Sequence, residues 1–185
     1  KLIPPVMEGF RMDIAEAAIW HRALDMETLL RRAGRELEGT EPHLAGYWSF
    51  RTGSVHDASP TGARALDAAA PVRSIPDPVV PLAGCLEADG SGDAAALMQG
   101  GDAYLLKDSP FTVEAWIKAD GDGGLVFSSI HKEEGLALAV KDRTVSLILR
   151  GTGKDGKTAE ETRQNTFPFS LCDGDWHHVA AARRT

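Results

Sequence analysis

Cysteine is nearly absent: the chain holds only Cys85 and Cys172, far apart and in no CxxC spacing. That excludes a thiol-redox motif and a cysteine-based zinc cluster. Two readings remain, one bridge closing a long loop, as exported proteins carry, or two buried free thiols. Long apolar runs are missing as well, none approaching the roughly 20 residues that span a bilayer as a helix, so membrane insertion is not expected. No concentrated basic face exists either. The formal charge is −7 at pH 7, and apart from Arg31-Arg32 and Arg183-Arg184 the arginines are scattered. Nucleic acid is therefore not an expected partner, because binding its backbone needs clustered positive charge. A secretory leader is lacking at Lys1, which carries little weight because a mature or excised piece has none.

The motifs of catalysis are missing in turn. No GxSxG elbow supports serine hydrolase chemistry, and DGSGDA at 89–94 reads as a loop. The nearest approach to a P-loop, GTGKDGKT at 151–158, breaks the required spacing and reads as a flexible hairpin loop. Retaining glycosidases need an acid and a nucleophile about 5 Å apart, yet the strand FTVEAWIKA offers only Glu114. Glu133-Glu134 and Glu160-Glu161 are adjacent pairs in polar turns and read as solvated charge. His177 and His178 are neighbours on a strand, so they point to opposite faces and do not share a ligand site; one is expected to pack inside and the other to be exposed. His21, His43, His56 and His131 are dispersed, with no i, i+4 pairing. The chain is not expected to be an enzyme.

What is present is an ordinary soluble composition, 43% hydrophobic and 25% charged over 185 residues, enough for one domain, or one domain and a piece of another. DMETLLRRAGREL at 25–37 places Met26, Leu29, Leu30, Ala33 and Leu37 at helical spacing, with Asp25 as a natural cap and Gly34 as a weak point. IAEAAIWHRAL at 14–24 leaves helix and strand tied. A polar hinge, GTEPH at 39–43, precedes LAGYWSF at 44–50, a strand rich in aromatics. The stretch 68–84, with Pro71, Pro76, Pro78 and Pro81, is confined to a loop or a short edge element. From Cys85 onward, short apolar segments are separated by Gly, Asp and Lys turns. AALMQ (95–99), AYLL (103–106), FTVEAWIKA (111–119), GLVFSSI (124–130), LALAVK (136–141), TVSLILR (144–150) and DWHHVAAAR (175–183) read as strands of an all-β fold, an antiparallel β-sandwich with one short N-terminal helix.

LAGYWSF with its following loop Asp57-Ala58-Ser59-Pro60, CLEADGSGDAAAL at 85–97, FTVEAWIKA, GLVFSSI, GLALAV, TVSLILR and DWHHVAAAR come in the order of a laminin G-like domain, and the chain resembles that family over roughly residues 44–184. EAWIK and WHHVA are the most specific parts. The resemblance implies a jelly roll of the concanavalin A-like kind. MDIAEAAIWHRALDMETLL at 12–30 is similar to the strand and helix that close such a domain, but it stands before the domain. The expected organisation is therefore 1–40 as the end of a preceding module and 41–185 as a second module cut short at its C-terminus, within a longer tandem chain. The alternative is that the N-terminal segment fills the closing-strand position of the same sandwich, permuted or swapped. The tandem is preferred because permutation still leaves the family's intermediate hairpin absent.

The resemblance also implies a calcium ion at an edge of the sandwich, coordinated by carboxylate and loop oxygens. Asp57 matches the acidic position of the first loop, Asp13 the aspartate of the closing strand, and Asp89 and Asp93 add donors in ADGSGDA. Pro60-Thr61 replaces the usual Gly-Asn, which puts the convergence of the loop carbonyls in doubt. Trp20, Trp48, Trp116 and Trp176 occupy strand positions that pack inward, which leaves binding to the loops. The implied function is non-catalytic recognition of carbohydrate or a protein surface, assisted by calcium, in an extracellular or cell-surface protein with neighbouring modules. The competing readings are a structural spacer or assembly module, and a domain appended to an enzyme.

Overall fold

The computed structural model describes residues 11–33, 35–50, 54, 56–60, 66–68, 72–74, 84–88, 96–98, 109–128, 130, 134–152 and 156–184. In chain order they form β1 (Arg11–Trp20), α1 (Met26–Ala33), β2 (Leu44–Ser49), β3 (Leu66–Ala68), β4 (Val72–Ser74), β5 (Gly84–Ala88), β6 (Ala96–Met98), β7 (Phe111–Asp120), β8 (Gly124–Ser128), β9 (Gly135–Lys141), β10 (Thr144–Thr152), β11 (Thr158–Thr166) and β12 (Asp173–Arg183). The larger antiparallel sheet runs β12-β7-β1-β5-β4, with β2 also on β1; the smaller runs β11-β10-β9-β8, and β3 pairs β6. The two main sheets pack face to face as a β-sandwich, as the alternating patterns require. Phe111, Val113 and Ile117 of β7 meet Leu138, Val140 and Leu147 of the smaller sheet in one buried cluster.

The tie between helix and strand at 14–24 is decided by an irregularity in β1. Ile14 stands opposite Ile117 while Glu16 stands opposite Trp116, so Ala15 is an extra residue and the strand bulges. Before the bulge Met12 and Ile14 face the core; after it Ala17 and Ile19 do. The phase of alternation therefore flips mid-strand, and a period of two never shows over the whole segment. On its other edge β1 is shared, Met12–Ile14 pairing with β5 and Glu16–Trp20 with β2. Within this chain, residues 11–20 thus sit inside the same sheet as 111–120.

Several elements depart from expectation. α1 ends at Ala33 rather than Leu37, while its cap is as expected, the N–H of Thr28 donating to Asp25 Oδ1 at 2.7 Å. β11 arises in TAEETRQNT, a polar stretch with no apolar signal, exposed throughout and recruited by nine consecutive pairings with β10. The proline-rich stretch supplies β4, at the sheet edge. AYLL lies outside the described residues. Cys85 is a buried free thiol and Cys172 a partly covered one, so no bridge joins them. Trp20 and Trp48 are buried, whereas Trp116 and Trp176 are only partly so.

The hinge at 39–43 is buried at Gly39 and exposed at Thr40, Pro42 and His43. Gly39 has φ 83°, and a Cβ there would lie 2.1 Å from the carbonyl oxygen of Ala58. Both the backbone sign and the close approach require glycine. Gly39→Ala is expected to cost at least about 2 kcal/mol, read as a lower urea midpoint at unchanged m-value.

Candidate functional site

The outer face of the larger sheet carries the densest polar chemistry in the described chain. Facing away from the core, β7 presents Thr112, Glu114 and Trp116, and β1 presents Glu16, Ala18 and Trp20 beside them. β2 adds Tyr47 opposite Ala18, and β12 adds His178 opposite Trp116. α1 and its flanks close over this face. Ala18, Trp20, Leu24, Leu37, Leu44 and Tyr47 form a second apolar cluster there, with Leu29 of the helix packed on it.

Glu114 is the hub, only 2% exposed. Its Oε1 accepts the indole N–H of Trp20 at 2.9 Å and meets Arg32 Nη2 at 2.5 Å, while its Oε2 lies 3.2 Å from His178 Nε2. The Arg32 guanidinium also sits over the Trp20 ring, 3.7 Å from its centroid, a cation–π contact. Three more bonds tie the layer down. Trp116 Nε1–H donates to the carbonyl of Ala33 at the helix end, and the Thr112 hydroxyl donates to Arg22 O while accepting the N–H of Leu24.

Sequence reasoning found Glu114 without a second carboxylate on its strand; the sheet supplies one from the neighbouring strand. Glu16 is diagonal to Glu114 across β1 and β7 and accepts the Tyr47 hydroxyl at 3.2 Å. Burial first, and the Glu114 charge second, push the Glu16 carboxyl up to about 8. Burial likewise raises the Tyr47 hydroxyl above its ordinary range. A neutral acid beside a carboxylate held by arginine is the arrangement that acid–base sites use, and here both carboxyl groups are buried, with Arg32 paired to Glu114. The cluster works as a clamp that fixes the helix on the sheet.

Of the expected calcium donors, Asp57 and Asp13 are described. Asp57 is buried, its Oδ1 accepting the N–H of Tyr47 at 3.0 Å and of Ser59 at 2.9 Å, which fastens the loop to β2. Asp13 stands in register with Lys118 on one side and Glu87 on the other. It is five residues along β1 from Ala18, the partner of Tyr47, a separation of roughly 16 Å. Asp89 and Asp93 lie outside the described residues. Among the described residues no three of His, Cys, Asp and Glu converge as a metal site. His177 and His178 do face opposite ways, but neither is exposed. His178 leans on Trp116, and His177 stacks on Phe169 with Nε2 2.8 Å from Asp173 Oδ1, a bond that holds the Asp173 carboxyl below its ordinary range.

Two outcomes follow for stability. Glu16 has its unfolded value near 4.5 and its folded value near 8, so its contribution is complete below pH 4.5 and is lost as pH rises towards 8. Glu16→Gln should therefore leave the melting temperature unchanged near pH 4.5 and raise it relative to the parent at pH 8 and above. Arg32→Met, which strands Glu114 in the interior, should cost about 3–5 kcal/mol, and adding Glu114→Leu should recover most of it; paired urea denaturations measure both.

No family model matches this sequence, and neither the curated proteins nor the solved structures contain a significant match to it.

Proposed function

We propose that this β-sandwich is a non-catalytic recognition module that binds carbohydrate or a protein surface, of the laminin G-like kind its strand order resembles, in an extracellular or cell-surface setting. The observation that carries this reading is the outward face of the smaller sheet. Because Val145, Leu147 and their partners point to the core, the alternate positions point to solvent. Thr144, Ser146 and Arg150 of β10 lie there beside Thr166, Gln164 and Glu160 of β11. Gln164 Nε2 donates to Ser146 Oγ at 3.1 Å, the hydroxyls of Thr144 and Thr166 are 3.3 Å apart, and Arg150 bonds Glu160 at 2.5 Å. Towards β9 the row of Ser146 continues into the half-buried Ala139, whereas Ala137, opposite Ile148, is covered.

A row of pre-oriented hydroxyl and amide groups with Ala139 beside it suits a sugar, whose rings offer both apolar faces and hydroxyls. The carboxylates that would do chemistry are on the other sheet, beneath α1. Calcium assistance belongs to the same proposal through Asp57, Asp89 and Asp93. A second reading, a structural or assembly module, is favoured by the edge that β11 presents.

Glycan-array binding of the full chain, with calcium and then with chelator, tests the proposal. Selective binding is expected, with Ser146→Ala and Gln164→Ala each weakening it at least about fivefold while the fold keeps its stability within about 0.5 kcal/mol. Loss of binding on chelation would assign the ion a role. Folded protein that binds no glycan in either condition would move the reading to protein contact or spacing.

A further inference from the structure

Among the strands whose side chains are described, β11 alone is exposed at every position. It is unbroken, in register with β10 over its nine residues, with no proline and no bulge. It forms the edge of the smaller sheet, and among the described residues no strand lies beyond it. Such an edge offers a row of backbone N–H and C=O groups to another strand, which proteins usually guard against. Here the guard is charge: Glu160, Glu161 and Arg163. The order of those charges favours one partner.

Two sheets that join antiparallel, edge to edge, are related by a two-fold axis normal to the sheet. Each face then continues across the junction, so residues of like parity oppose each other. With the axis at Thr162, Glu161 lies opposite Arg163 of the second copy and Arg163 opposite its Glu161. Glu160 meets Gln164, and Thr158 meets Thr166. Glu161 and Arg163 already form an ion pair within their own strand. The junction therefore sets four charges in an alternating square, each flanked by its opposite along and across the strands. Neighbouring registers of the same parity fail: an axis at Glu161 opposes two glutamates, and an axis at Arg163 opposes two arginines. In-register parallel pairing does both.

We propose that the β11 edge is a homotypic docking strand, through which two copies of this chain pair antiparallel about Thr162 and join their four-stranded sheets into one. Main-chain hydrogen bonds supply the attraction. The charge square selects the register and excludes open-ended stacking, because each smaller sheet uses up its β11 edge in the pair. Arg163 and Glu161 are well exposed, 77% and 54% at the side chain, so the ionic contribution is modest and weakens with salt.

Sedimentation velocity of the full chain over a wide concentration range tests this. A mass rising to that of a dimer is expected. Arg163→Glu, which places four acidic groups at the junction, should weaken the dimer at least about tenfold. The exchange Glu161→Arg with Arg163→Glu, which keeps the square but inverts it, should restore the dimer. Both positions are exposed, and circular dichroism will show each variant folded. A parent chain that stays monomeric, a dimer indifferent to Arg163→Glu, or a double variant that fails to dimerise would each overturn the proposal. The substituted residues, Glu161 and Arg163, have the opposite parity to the residues proposed to bind glycan.

Discussion

The larger sheet depends on β1 being paired along both edges. β7 runs along the whole of one edge, while β5 and β2 divide the other. Removing β1 would leave β7 with one neighbour and β5 with only β4, and β2 would lose its attachment to the sheet. A strand early in the chain thereby closes a sheet whose other central strand begins at residue 111. The pairing is long-range, so its ordering cost is recovered only when the whole sheet assembles.

The bulge at Ala15 converts that hydrogen-bonded strand into a two-sided packing element. Its shift in phase puts Ile19 in the main core and, one residue on, Trp20 in the outer layer. The outer layer is then held by polar groups as well as apolar ones. Burying Glu114 and Arg32 costs desolvation, and the contact repays it only in one geometry, with Trp20 and His178 also in place. The physical consequence is specificity of seating: α1 contributes no fully buried side chain, and Met26 and Leu30 stay exposed. Apolar burial alone would hold the helix loosely.

The smaller sheet follows the opposite economy. Its inner face is apolar only as far as β10, and β11 extends it as a polar strand anchored by side-chain pairs across the register. Even-numbered positions of β11 complete the hydroxyl-rich outward face, and odd-numbered ones hold the ion pair beside Leu147 and Leu149. A single strand thus carries two faces of different chemistry, separated by parity alone.

The class of fold was legible in the chain because alternation, turn residues and aromatic enrichment are local signals. FTVEAWIKA, LALAVK and TVSLILR each show which face is buried before any partner is known. The Asp25 cap is equally local, since the hydrogen bond it makes spans three residues. β11 was not legible, because an exposed edge strand buries nothing and its extended form comes from pairing with β10. Nor did alternation reveal β1, whose bulge erases the period on which a strand is recognised. The polar clamp lay beyond reach for a further reason. Glu16, Arg32, Glu114 and His178 are separated by up to 162 residues of sequence, and nothing in residue order states that two strands and a helix will lay them side by side. Sequence by itself determined the alternating, antiparallel character of the protein, because that rests on side chains choosing between core and water one residue at a time. The tertiary structure alone decided which carboxylates share a site and how one of them is held neutral, because proximity and desolvation exist only once the sheet has closed.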